Sequence, residues 1–292
     1  MKNSIIRNII FQLKRIIIPE VAGKDSCILI QKQLCSDSPT MIARLGAVEI
    51  KAVLYGILPP PLKFLLKKYI YIHLHQNAGF FPINDNEIKK FSDLMLNCMK
   101  QVDILASWRP EEIFFRRQLK QSIRISLIDL NPTIDQEYAW SSILKDKNIL
   151  VIHPFAKSIE QQYNANREHL FNNKYILPKF KSLQTITAIQ TIAGNTAGFN
   201  SWFEALKYME DEICKKDFDI ALIGCGAYGF PLAAFIKDIG KKAVHIGGAL
   251  QLFFGIKGKR WDSLGYYNEY WIKPSSAERP QNLGKVEDGC YW

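Results

Sequence analysis

The chain has 292 residues, 48% of them hydrophobic, enough to bury a sizeable core in one large α/β domain or two small ones. Its 38 Lys and Arg outnumber its 28 Asp and Glu, for a net charge of +10, which favours anionic partners such as nucleotides, phosphorylated glycans or anionic lipids. The composition excludes a disordered chain, and basic residues spread along the sequence without a recognition motif argue against nucleic acid as a partner.

The first residues, MKNSIIRNIIFQLKRIIIPE, carry Lys2, Arg7, Lys14 and Arg15 among isoleucines spaced three and four apart. That pattern predicts an amphipathic helix over 1–20. Its basic residues fit a peripheral contact of residues 1–18 with an anionic membrane; a helix packed on the body of the protein is the alternative. No small-residue cleavage site follows, and no run reaches the roughly 18 uninterrupted apolar residues of a membrane span.

Residues 21–292 read as a single domain. Ser26–Leu34 is expected as a helix, Thr40–Leu45 as a strand, Gly46 as a turn and Ala47–Tyr55 as a helix. Leu62–His75 and Asn86–Lys100 are further helices, the second capped from Asn84 or Asp85. Val102–Ala106 and Arg124–Ile128 read as strands, Pro110–Leu119 and Trp140–Leu144 as helices. Asn148–Ile152 is an apolar strand ending in His153-Pro154. A helix is expected after Lys157, with Ser158 as N-cap and Gln161 completing a capping box. Leu183–Ile192 is strand-like and Trp202–Lys215 helical.

The richest stretch is Phe218–Asp262. The run Ile220–Ile223 leads into Gly224-Cys-Gly226-Ala-Tyr-Gly229, which fits G-x-G-x-x-G, then a helix over Pro231–Ile239 and a strand over Ala243–Ile246 closed by Gly247-Gly248. Glycines there let the backbone approach a phosphate at a helix N-terminus; a tight structural turn is the alternative. Dinucleotide sites usually carry an acid at the end of the second strand. Here His245-Ile246-Gly247-Gly248 stands in its place, which weighs against NAD. Strands alternate with helices throughout. The expected class is therefore α/β, Rossmann-like, with a mostly parallel sheet and helices on both faces, and ligands lie beyond the carboxyl ends of its strands.

Those strand ends supply the candidates. Arg44 suits a phosphate, and Glu49 suits a metal ion or general-base work; an Arg–Glu ion pair at a helix start is the alternative. His153 is placed for phosphate contact or proton transfer, and Lys157 lies near a helix start that favours anions. Lys257, Lys259 and Arg260 form a basic cluster suited to a diphosphate, Trp261 offers a stacking face, and Asp262 is a further candidate base or Arg260's ion-pair partner.

At these residues the chain resembles a known family. GCGAYGFPLA, HIGGALQLFFGIKGKRWD, LVIHPFAKSIEQQY and VEDGCYW look like a bacterial family linked to surface-polysaccharide assembly, similar to GT-D-type glycosyltransferases, over about residues 40–292. The family's R-F-G-D-G-E pattern falls on Arg44 to Glu49, where Arg44, Gly46 and Glu49 match and Ala47 replaces the first acid. The resemblance implies a nucleotide-sugar donor, commonly a UDP-sugar, in a Rossmann-like fold with a divalent metal, Mn²⁺ or Mg²⁺, whose ligand here would be Glu49. A single carboxylate suits such an ion poorly, and the basic cluster is the alternative counter-charge. The nucleotide-site candidates are then Arg44, Gly46, Lys157, Gly224, Gly226, Tyr228, Gly229, Gly247, Gly248, Gln251, Lys257, Lys259, Arg260 and Trp261, with Glu49, His153 and Asp262 as candidate catalytic groups.

The expected activity is glycosyl transfer to a glycan or lipid-linked acceptor, in the cytoplasm or at the inner membrane face. An oxidoreductase, a methyltransferase and a non-catalytic nucleotide-binding protein are the alternatives. The six cysteines form no C-x-x-C pair and are expected as reduced thiols.

Overall fold

The structure is a computed structural model that describes residues 20–132, 138–279, 289 and 291. Residues 1–19 of the expected N-terminal helix lie outside the described residues. Strands β1 (Thr40–Ala43), β2 (Ile104–Ser107), β3 (Ile123–Ser126), β4 (Asn148–His153), β5 (Ser182–Thr187), β6 (Ile220–Ile223) and β7 (Lys242–His245) form one seven-stranded sheet in the order β3-β2-β1-β7-β6-β4-β5. Every pairing is parallel. This is the α/β class expected from the alternating pattern.

The helices are α1 (Lys24–Cys35), α2 (Ala47–Ile57), α3 (Pro60–Gln76), α4 (Asp85–Met99), α5 (Leu127–Leu130), α6 (Ala156–Asn166), α7 (Trp202–Cys214), α8 (Gly229–Asp238) and α9 (Leu250–Phe253). Both faces of the sheet are covered, so the inner strands read as near-continuous apolar runs, whereas the edge strands β3 and β5 are more polar. On β4, Leu150 and Ile152 join the core built with α2, α3, α4, α7 and α8. Ile149 and Val151 point the other way, into the core shared with α1, α6 and the segment after β7. α4 begins as expected: the Asn84 side chain accepts from the Glu87 N–H at 2.9 Å.

Several elements differ from expectation. Leu127 and Ile128, expected at the end of a strand, open α5, and Trp140–Leu144 is a 3-10 helix. The segment after β5 leaves the sheet at Ala188 and turns through a short 3-10 helix, Ile192–Gly194, in which Ala193 has φ 57°. Pro110–Phe115 is a 3-10 helix that ends well before Leu119. α6 starts at Ala156, and no capping box forms at Ser158. A distant carboxylate serves instead: Glu278 accepts from the Lys157 N–H at 2.8 Å, and from the Ser158 N–H and hydroxyl.

The strand order fixes where a ligand would sit. The chain leaving β4 runs outward to β5, while the chain leaving its neighbour β6 runs inward to β7. Likewise β1 leads away from its neighbour β7, toward β2. Diverging connections open crevices at the carboxyl ends of such strand pairs.

Candidate active site

A cleft of about 520 Å³ lies over those crevices. Turns after all seven strands reach it: Arg44 and Gly46 after β1, Trp108 after β2, Leu127 after β3, His153 to Phe155 after β4, Ile189 to Ile192 after β5, Gly224 to Tyr228 after β6, and Ile246 to Ala249 after β7.

The turn after β1 is built around Arg44, Gly46 and Glu49. Gly46 is the N-cap of α2 and Glu49 the third helical residue. The Glu49 carboxylate folds back onto the Gly46 Cα, so any Cβ there would collide with it. The Arg44 guanidinium donates to the Leu45 carbonyl at 3.2 Å and lies 4.8 Å from the centre of the Trp108 ring. Its Nε is buried and has no hydrogen-bond partner among the described residues. Burial lowers the Arg44 pKa, and the negative charge of Glu49 opposes that shift. Arginine stays charged throughout, so this is a cation held in the cleft wall. Gly247, with φ +77°, closes against it: a Cβ there would stand 2.7 Å from Arg44 Nη1.

The turn after β6 has two different glycines. A Cβ on Gly224 would meet the Gly247 carbonyl and the His153 ring, each at 2.7 Å. Gly226 has φ +59°, and a Cβ there would meet nothing within 4 Å. The first glycine lets two turns touch; the second faces open cleft. Gly229 does not line the cleft, and its Cα abuts the His245 ring. The Tyr228 ring stacks on Trp202 at 4.7 Å, and its hydroxyl pairs with Thr191 at 2.8 Å.

Two buried histidines reach the cleft floor. His153 Nδ1 accepts from the Phe155 N–H at 3.0 Å. Burial pushes its pKa down to about 3, so at neutral pH the ring is uncharged and carries its proton on Nε2. His245 lies 3.3 Å from the Ile223 carbonyl through Nδ1, and burial, aided by the Arg44 charge, lowers its pKa to about 3. Bonded to a carbonyl, Nδ1 is the protonated nitrogen of His245. One histidine therefore presents a donor and the other an acceptor at Nε2.

The far wall comes from the C-terminal third. Arg260 donates to the Tyr291 hydroxyl at 2.8 Å and stacks over that ring, which also packs beside Trp261. Gln251 is fully buried, and its amide donates to the Lys257 carbonyl at 3.0 Å. Its Oε1 has no hydrogen-bond partner among the described residues.

Of the residues singled out in the sequence, Arg44, Gly46, Glu49, His153, Gly224, Gly226, Tyr228, Gly247, Gly248, Gln251, Arg260 and Trp261 line this one cleft. Lys157, Gly229, Lys257, Lys259 and Asp262 do not. Lys157 sits at a helix start already served by Glu278. Lys257 lies over the Tyr267 ring; Lys259 and Asp262 are exposed. Trp108, Thr191, His245 and Tyr291 also line the cleft but were not among the candidate site residues.

The implied Mn²⁺ or Mg²⁺ finds little support in these side chains. Such ions need several oxygen ligands. Glu49 is the one carboxylate among the described cleft-lining residues. Among the described residues, no group of three or more His, Cys, Asp or Glu is placed to hold a metal. Among the described residues, the donor set does not fit a divalent ion.

No protein-family model matches the sequence, and no curated protein matches it. Two solved structures are similar in chain trace. One is described as a new glycosyltransferase (DUF1792) from Streptococcus sanguinis: 12% identical, covering 89% of this chain and 96% of that chain, with a TM-score of 0.41. The other is a selenomethionine-substituted structure of domain of unknown function 1792: 12% identical, covering 92% and 96%, with a TM-score of 0.45. Likeness at that level assigns neither an activity nor a role to any residue here.

Proposed function

We propose that the cleft binds a nucleotide-sugar donor, a UDP-sugar foremost, and transfers its sugar to a glycan or lipid-linked acceptor in surface-polysaccharide assembly at the cytoplasmic side of the membrane. One observation carries this reading. Two guanidiniums, Arg44 and Arg260, enter the same cleft as a glycine turn whose Gly226 faces open space. Fixed cations and backbone amides suit a leaving diphosphate that gains negative charge in the transition state.

The remaining groups fall into place on that reading. The acceptor oxygen attacks the anomeric carbon, the bond from that carbon to the diphosphate oxygen breaks, and its electron pair leaves with the diphosphate. Glu49 takes the acceptor's proton. His153, neutral with a proton on Nε2, donates to a phosphate oxygen. This is a different task from the base role open to it in the sequence, because a ring held down to about pKa 3 is a poor base. Trp261 and Tyr291 offer faces for the base or sugar. The absence of an acid at the end of β7 weighs against an oxidoreductase using NAD and against a methyltransferase.

The test is release of free nucleotide from UDP-, GDP- and CMP-sugars, in wild type and Glu49→Gln, with polysaccharide precursors as acceptors. The reading expects turnover with one donor class and loss of that turnover in Glu49→Gln, with donor affinity retained. Turnover that is indifferent to Glu49 would remove it from the chemistry.

A further inference from the structure

Helix α3 presents its apolar side chains the wrong way round for a helix in water. Ile70 and Leu74 are buried and anchor it to the body. Leu62, Leu65, Tyr69 and Ile72 recur at spacings of three, four and three, which places them on one helical face, and all four are exposed. Leu65 is 75% exposed and Phe64, on the flank of that face, 83%. Single exposed hydrophobics are ordinary; a contiguous stripe marks an interaction surface.

The charges around the stripe are of one sign. Residues 60–76 include Lys63, Lys67 and Lys68 and no Asp or Glu. From α2, Lys51 reaches in and donates to the Tyr69 hydroxyl at 2.9 Å. Asp85, which meets α3, is engaged by Lys67 at 3.1 Å, Tyr55 at 2.6 Å and Tyr71 at 2.9 Å. An apolar stripe with a lysine rim and a Tyr at its edge is the pattern of a helix lying in a membrane interface. Leucine and phenylalanine side chains enter the acyl boundary there, and lysines reach back to anionic headgroups.

We propose that α3 is a docking surface for an anionic lipid bilayer. Among the described residues no helix is long and apolar enough to cross a membrane, so the contact is peripheral. Its position matters to the cleft: the chain leaving α3 supplies Asn77 and Ala78 to the cleft wall. A docked α3 holds the cleft mouth beside the bilayer surface, within reach of an acceptor carried on lipid. That last consequence rests on the transferase reading; the docking does not.

The experiment is co-sedimentation of the full-length chain with vesicles of phosphatidylcholine alone and of phosphatidylcholine mixed with phosphatidylglycerol. Wild type is expected to bind the mixed vesicles and to leave phosphatidylcholine largely unbound. The double variant Phe64→Glu, Leu65→Glu should lose about tenfold or more in partitioning, since it removes apolar burial and adds like charge to the surface. Lys68→Glu should weaken binding with the apolar stripe intact. Both variants change exposed side chains, and unchanged melting curves and nucleotide-sugar titrations on the same samples would separate this proposal from the function of the cleft. Wild-type partitioning in both variants would overturn it. So would variants that change only the oligomeric mass, which would make the stripe a contact between copies of the chain.

Discussion

The Glu49 carboxylate occupies the space that a side chain at Gly46 would need. The two residues are N-cap and third helical position of α2, so the spacing of glycine and acid in Arg44-Leu-Gly46-Ala-Val-Glu49 follows from one helix start. The carboxylate can turn back over the helix end because position 46 has no side chain. Held there, it faces the cleft near Arg44.

Gly46→Ala should therefore act through Glu49. Position 46 has φ −75°, which alanine accepts, and the atoms in its way are the end of a flexible side chain. The expected result is a folded protein with melting close to wild type and turnover lowered by about tenfold or more, approaching the effect of Glu49→Gln. Equal turnover in Gly46→Ala and wild type would show that the position of the carboxylate is irrelevant.

Gly226→Ala separates backbone strain from ligand contact. The φ of +59° at Gly226 costs a non-glycine residue about 1–2 kcal/mol. Gly240 provides the control: its φ is +82°, and it too has nothing within 4 Å of a Cβ, but it lies outside the cleft. Both alanine variants should lose similar stability in denaturant titrations. Only Gly226→Ala, and more so Gly226→Val, should lose nucleotide-sugar affinity.

The basic cluster divides in the same way. The Arg260 and Lys259 side chains are both exposed, but Arg260 lines the cleft and Lys259 does not. Arg260→Ala should lower turnover at saturating donor by about a hundredfold, the usual cost of losing one donor to a developing negative charge. Lys259→Ala should stay within roughly 0.5 kcal/mol of wild type. Equal, large losses in both would mean that the loop closes differently on its ligand.

Acid should destabilise the protein through its buried histidines. The pKa of His153 and of His245 falls from an ordinary 6.5 to about 3 on folding. Between those values the unfolded chain binds the extra proton, so stability is full above about pH 6.5 and is lost as pH falls toward 3. At pH 5 each histidine should cost about 2 kcal/mol relative to pH 7. Asn at 153 keeps an acceptor for the Phe155 N–H without titrating. Urea titrations of His153→Asn at the two pH values should show about half the pH-dependent loss; the full loss in that variant would place the titration elsewhere.

Much of the frame was legible in local pattern. β6 runs over Ile220–Ile223 as expected, β7 is shifted by one residue, and the glycine turn between β6 and α8 was recognisable because its signals are consecutive. Arg44 and His153 were legible because they stand at the ends of apolar strands, and Glu49 because it lies in the first turn of the helix that follows β1. What local pattern could not carry was chemistry assembled across the chain. Glu278 serves the start of α6 from about 120 residues away, and Tyr291 reaches Arg260 from the C-terminal end. The extended reading of Leu183–Ile192 holds through Thr187 and fails beyond it, because β-branched residues continue while the backbone turns away and Thr191 meets Tyr228. Lys257 and Lys259 resemble Arg260 in sequence, and only the course of the loop tells them apart.

The most direct test of a cationic nucleotide-sugar cleft is calorimetric titration of the full-length chain, in the presence of a metal chelator, with UDP-, GDP- and CMP-sugars, NAD, NADP and S-adenosylmethionine. The account predicts saturable binding of one nucleotide-sugar class without added metal, weakened about tenfold or more in Arg260→Ala. Binding of a dinucleotide or S-adenosylmethionine in preference to every nucleotide sugar, or nucleotide-sugar binding indifferent to Arg260, would contradict it.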